Sequence, residues 1–176
     1  MSEYRRGPLR PQANRRRIRA AGGAITALLL ALAGPLLAHS YTLGSLSIGH
    51  PWARETAKGQ AAGGAFLTIA NKGNQADRLV SASSPVAREV QIHAMSMDGG
   101  VMRMRPLRQG LPIPAGKTVK LEPGGYHMML TGLKQPLERG TRVPLTLHFQ
   151  RAGTLQVELA VHQITWAPSA EGHHHE

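Results

Sequence analysis

The stretch Arg142-Val143-Pro144-Leu145-Thr146-Leu147-His148-Phe149 places an apolar side chain at every second position. Successive side chains of a β-strand point to opposite faces, so this alternation predicts a strand that is buried on one face. The turn signal Arg151-Ala152-Gly153 follows it, and a second apolar run occupies residues 155–161. The two runs and the turn predict an antiparallel β-hairpin.

Segments of the same kind recur from Tyr41 onward, between turns rich in glycine, proline and asparagine. The predicted strands are 43–48, 64–70, 78–82, 89–93, 101–104, 118–121, 127–130, 142–149 and 155–161. Strands at this spacing, without a long helical period, favour an antiparallel β-sandwich or barrel. We therefore predict an all-β chain.

The 176-residue chain carries a formal net charge of +11, but the charge is uneven. Seven of the 21 basic residues and one of the 10 acidic residues lie in residues 1–38, which leaves a charge of +5 for the rest. The remaining basic residues are scattered, and no basic stripe with stacking aromatics accompanies them, so we predict no nucleic-acid binding. The length predicts one domain, residues 39–168, followed by a disordered polar tail, residues 169–176.

Residues 1–38 have the order of an export signal. Arginines, among them Arg15-Arg16-Arg17, precede an apolar run at 24–33, and small residues lead to Ala38. We predict cleavage after Ala38 and release into the periplasm, with no stable membrane insertion afterwards; general or twin-arginine export is left open. The alternative is a retained membrane anchor over residues 20–38, a length close to the ~20 residues that a span needs.

Six of the seven methionines lie between Met95 and Met129, and histidines bound the segment. Thioether sulfur is a soft, neutral donor that suits Cu(I), and imidazole is compatible with it. The chain contains no cysteine, which excludes a zinc–thiolate site, an iron–sulfur cluster and the blue-copper ligand set of an electron carrier. The cluster therefore predicts a copper site.

Strand alternation sorts these donors. His127 and Met129 share one face, as do Met102 and Met104, so three neighbouring segments would bring several donors to one end of a sandwich. Met128 points away from His127 and is predicted to fill the core. Met95 and Met97 are predicted in a loop after the strand that carries His93, and Met102 is left open between a ligand and a deeper core residue.

At this point the chain resembles the periplasmic copper chaperone family written PCu(A)C. Ten residues separate His93 from Met104, twenty-two separate Met104 from His127, and Met129 follows. The family pattern, H(M)x10Mx21HxM, is one residue shorter in the second interval, and we expect a loop at 108–115 to absorb the difference. His50-Pro51-Trp52-Ala53-Arg54 and Pro123-Gly124-Gly125-Tyr126-His127 are similar to the family as well.

The resemblance implies a cupredoxin-like antiparallel Greek-key β-sandwich that binds one Cu(I) through His93, Met104, His127 and Met129. It implies delivery of copper toward cytochrome c oxidase assembly, with subunit II or another copper chaperone as transient partner. No enzyme activity is expected, because the only acids near the cluster are Asp98 and Glu122, both in or next to turns.

Further donors are candidates for accessory metal binding. They are Met95, Met97, Met102, His162, His173, His174 and His175. The three terminal histidines predict a Cu(II) site in the tail, against the simpler interpretation of a solvated segment. Two other functions stay open: copper sequestration or resistance without dedicated delivery, and a metal-free interaction module whose methionines form an adaptable surface.

Overall fold

Strands make up the regular structure of the computed structural model, which describes residues 40–165. The eleven strands in this range are β1 Ser40–Leu43, β2 Leu46–Arg54, β3 Ala62–Asn71, β4 Asp77–Ser83, β5 Glu89–Asp98, β6 Val101–Pro106, β7 Leu111–Ile113, β8 Thr118–Leu121, β9 His127–Thr131, β10 Arg142–Phe149 and β11 Gly153–His162. The bounds predicted for β8 and β10 are confirmed. The predicted export signal, 1–38, and tail, 169–176, lie outside the described residues.

The strands pair into one continuous sheet whose two ends meet. The order runs β2–β11–β10–β4–β5–β9–β3, and β3 pairs with β2, while β1, β6, β7 and β8 attach to β2, β5, β4 and β3. The antiparallel prediction needs one correction, because β2 and β11 are parallel, through Trp52 opposite Ala160. These two strands are far apart in the chain, so no hairpin forces them to be antiparallel.

The inner face of this sheet holds the hydrophobic core. Val143, Leu145, Leu147 and Phe149 are all buried, as the alternation predicts. Met128 is 0% exposed and belongs to the same cluster, which confirms its predicted core role. Within residues 40–165 there is no helix of the length and apolar character that a membrane crossing requires.

A bulge in β2 turns Trp52 toward the outer face, where it meets Phe66 of β3. Ile48 and Ala53 both point into the core, although they lie five residues apart, because the register shifts between Gly49 and Trp52 and His50 has a φ of 48°. One extra residue in a strand reverses the faces that follow it. Trp52 therefore lies outside the main core and packs on Phe66, with ring centroids 4.4 Å apart.

Three predicted loop or strand assignments were wrong. Met95 and Met97 belong to β5, which continues to Asp98 and turns through Gly99 and Gly100 into β6. The stretch 108–115, expected as a loop, contains β7, which pairs with β4. The predicted strand 43–48 is two strands, because Gly44, with a φ of 58°, forms a turn within it.

Candidate metal centre

The three segments that carry the predicted donors are adjacent strands. β5 lies between β9 and β6, and pairs with both in antiparallel register. Directly opposite residues of an antiparallel pair project from the same face of the sheet. The predicted convergence of the three segments is therefore found in the structure, on the face opposite to Met128.

His93 and His127 form the centre of this arrangement. They lie directly opposite each other on β5 and β9, and their ring centroids are 5.6 Å apart with an interplanar angle of 76°. His127 is 5% exposed, whereas His93 is half-buried. Two imidazoles thus meet edge to face at the point where the pairing of β5 with β9 ends.

Each ring has one nitrogen engaged and one nitrogen available. The Nδ1–H of His127 donates to the Gly125 carbonyl oxygen at 3.1 Å, and the Nε2–H of His93 donates to Oε1 of Gln91 at 3.0 Å. The Nδ1 of His93 is buried and has no hydrogen-bond partner in the part of the chain that the structure describes. In a metal-binding histidine, the ring nitrogen that does not bind the metal usually makes a hydrogen bond. This hydrogen bond fixes the tautomer and orients the ring.

Burial also favours the neutral form of His93. Desolvation lowers the pKa of His93 below its ordinary value of 6.5, and the positive charge that His127 can carry lowers it further. A metal ion binds the unprotonated imidazole, so a lowered pKa favours binding. Among the described residues, no group of three or more histidine and acidic side chains is placed to hold a metal.

The stability of the metal-free protein is expected to fall as the pH drops below 6.5. Burial lowers the pKa of both His93 and His162, so below 6.5 the unfolded chain takes up protons that the folded chain still refuses. The contribution of these two histidines to the free energy of unfolding is therefore fully present above pH 6.5. It falls as the pH drops and levels off only below the lowered pKa values. Urea midpoints at pH 7.5 and 5.5 should show the loss, and H93Q/H162Q should show a smaller one; an equal loss in this variant would contradict the assignment.

Met129 and Met104 approach the histidine pair from opposite sides. Met129 lies on β9 opposite Gln91, on the face of His127, and Met104 lies on β6 opposite Met95. Since β6 and β9 flank β5, the Cα atoms of these two methionines are about 10 Å apart across the sheet and, four residues further along β5, about 13 Å apart along it, which makes about 16 Å in all. A common ion would therefore lie over β5, between the two thioethers.

A cavity of about 540 Å³ opens beside His127, and two methionines that were predicted only as accessory donors line it. Met95 and Met102 line it together with His127, Met129 and Phe66. Met102 is 55% exposed, which excludes the deeper core position that was left open for it. Met95 shares the face of His93 and lies opposite Met104, so it is within reach of the same ion.

His162, a further predicted donor, is not brought to this centre. His162 lies on β11, with β2 and β3 between it and His127, and its ring meets Trp52 edge-on at 6.3 Å. His173, His174 and His175 lie outside the described residues. Gln91 and the Gly125 carbonyl were not predicted as partners of the histidines; the available signal was their position two residues before His93 and His127.

Comparison with known proteins identifies chains that are similar to this one. The family whose profile matches residues 46–161 is described as "Putative lipoprotein LpqE-like". A relative from Leifsonia xyli subsp. xyli, named as a lipoprotein in the same way, is 34% identical over 150 residues, which is 81% of this chain and 89% of that protein.

Solved structures show the same fold. The copper-bound PCuAC domain of PmoF2 is 26% identical with a TM-score of 0.61, covering 71% of this chain and 98% of that domain. The Cu(I)-bound solution structure of DR1885 from Deinococcus radiodurans is 29% identical with a TM-score of 0.57, covering 73% of this chain and 83% of that one. These similarities confirm the predicted cupredoxin-like β fold.

Proposed function

We propose, on the premise that the chain belongs to the LpqE-like family, that it is an exported carrier of Cu(I) and not an enzyme. The proposed ligands are His93, His127, Met104 and Met129. The observation that carries the proposal is the facing pair of imidazoles, each with one nitrogen held by a hydrogen bond and the other available. The copper-bound and Cu(I)-bound structures of the similar PCuAC domain and DR1885 support it.

The donor set suits a carrier. Imidazole and thioether are neutral, so the complex stays cationic, and the metal is held without thiolate. Transfer to an acceptor rich in thiolate is then downhill. Met104 is 45% exposed, so an incoming ligand can reach copper while the histidines still hold it. A catalytic metal site needs an open coordination position with acid–base groups beside it. We propose neither feature for this site.

The destination that we propose is the assembly of the copper sites of cytochrome c oxidase, with subunit II or another copper chaperone as transient partner. This step rests on the resemblance to the PCu(A)C family and on the exposed edge of the site. The second candidate is sequestration without delivery, which the run His173-His174-His175 favours because it would add Cu(II) capacity. Failure to load an apo oxidase fragment would favour this candidate.

Export to the periplasm is part of the proposal, with residues 1–38 as the signal. The lipoprotein names of the relatives point to exported proteins. This sequence has no cysteine, the residue that thioether- and thioester-linked lipids modify, so we propose release after cleavage rather than a lipid anchor.

The experiment that tests the copper proposal is titration with Cu(I) against a competing chelator, followed by X-ray absorption of the loaded protein. We expect one tightly bound Cu(I) with both nitrogen and sulfur scatterers. Nitrogen-only ligation that disappears when His173–His175 are replaced by alanine would contradict the proposal, and absence of competitive binding would favour the metal-free interaction module.

A further inference from the structure

The hairpin of residues 95–106 extends beyond the main sheet, and we call it the ribbon. The register of β5 with β9 ends at His93 opposite His127, whereas β5 pairs with β6 as far as Asp98 opposite Val101. Gly99 and Gly100 both have positive φ, 58° and 81°, as a two-residue type I′ turn requires. This turn fixes the register of the ribbon and so decides which side chains face each other.

The ribbon separates thioethers from polar groups. One face carries two directly opposed pairs, Met95 with Met104 and Met97 with Met102. The other face carries polar side chains: Ser96, Asp98, Arg103 and Arg105. Asp98 is engaged there by Arg103, with Oδ2 and Nε 3.4 Å apart. The carboxylate of the ribbon is thus directed away from the sulfurs.

Packing does not account for the thioether face. Met97 is 69% exposed and Met102 is 55% exposed, and all of β6 is exposed. Of the exposed large apolar side chains in the described part of the chain, Met97, Val101, Met102 and Met104 lie on this ribbon. A concentrated exposed apolar surface of this kind usually marks a binding site.

We propose that the thioether face of the ribbon binds a second Cu(I), held by Met97 and Met102 with Met95 as the third sulfur. Opposed residues have Cβ atoms about 4.5–5.5 Å apart, and three rotatable bonds let both methionine sulfurs turn toward one ion. A donor set of thioethers alone selects Cu(I) over Zn(II) and over hard cations. Met97 and Met102 are not among the four ligands proposed for the inner site at His93 and His127, whereas Met95 lies between the two sites.

The role of this second site rests on the proposed carrier function. Met95 lies two residues from His93 on the same face and opposite Met104. A Cu(I) held at Met97 and Met102 can therefore move inward by exchanging one sulfur at a time: the bond to Met104 forms as the bond to Met97 breaks, with no change of oxidation state and no proton transfer. The ribbon would load and unload the inner site.

Cu(I) titration of the purified protein tests this, with H173A/H174A/H175A in every variant so that the tail does not contribute. We expect two Cu(I) per chain for the parent and one for M97L/M102L, which keeps all four ligands proposed for the inner site. The control is M128L, which removes a core methionine and should keep two. A single Cu(I) in both the parent and M97L/M102L would overturn the proposal.

A second variant separates this proposal from the carrier function. H93Q/H127Q should lose the tight mixed site and keep one weaker Cu(I) with sulfur-only scattering, which would support the ribbon site even if the inner site proved absent. Transfer of copper to an apo acceptor fragment tests the competing interpretation, in which the ribbon docks a protein. If M97L/M102L binds as much copper as its parent but transfers it more slowly, the ribbon is a protein-docking surface and the metal-site proposal is wrong.

Discussion

The variant M104L/M129L is expected to lose at least about 100-fold in Cu(I) affinity. Removing only the hydrogen-bond partners of metal ligands typically lowers affinity 10–100-fold, and removing two ligands should lower it further. Leucine is close to methionine in volume, so each exchange should cost less than about 1.5 kcal/mol of unfolding free energy. The fold should therefore survive while the two sulfurs proposed to flank the histidine pair disappear. Chelator competition measures the affinity, and urea unfolding checks the fold.

The matched control for this variant is M128L. Met128 is next to Met129 in the chain but is wholly buried in the core, so its loss should leave Cu(I) affinity unchanged. If M104L/M129L kept its affinity and the further exchange M95L removed it, the ligand role would pass to Met95, which lies opposite Met104 on the same face.

Cu(I) is also expected to raise the thermal midpoint by more than about 10 °C when free Cu(I) is buffered at 1,000 times the dissociation constant. A ligand that binds only the folded state adds about 4 kcal/mol at that ratio, and each kcal/mol moves the midpoint of a domain of this size by about 3–5 °C. The ligands come from β5, β6 and β9, which unfolding separates, so the unfolded chain should compete weakly.

Calorimetry in the presence of a Cu(I) buffer measures this shift, and H93Q/H127Q serves as its control. Zn(II) at the same excess should have a much smaller effect on the parent, because two of the four donors are thioethers. An unchanged midpoint with Cu(I) would contradict the carrier function and would support the metal-free interaction module.

Local pattern predicted the fold class and several strands well. In β10 and β8 alternation and flanking turns agree, and their bounds are those predicted. The side-chain period of two likewise placed Met128 in the core and Met129 on the face of His127. Such predictions succeed because the direction of successive side chains is a property of a single strand.

Other elements depended on partners that the local sequence does not name. The segment after His93 has no buried alternation, so Met95 and Met97 resembled a loop; the facing strand β6 and the turn at Gly99-Gly100 make it a strand. β7 is three residues long and contains Pro112, and it forms because β4 lies beside it. The inversion of Trp52 likewise arises from the bulge against β3.

By itself, the sequence determined which donor types the candidate site can offer, since its soft donors and its lack of cysteine are the same whatever the fold. It also determined which donors share a face within each strand. Only the tertiary structure decided that His93 lies opposite His127, although they are 34 positions apart, and that Met104 and Met129 flank them from two sides. Pairing between distant strands is set by burial of Ile92, Met128 and their neighbours in the common core, and no local spacing contains that information.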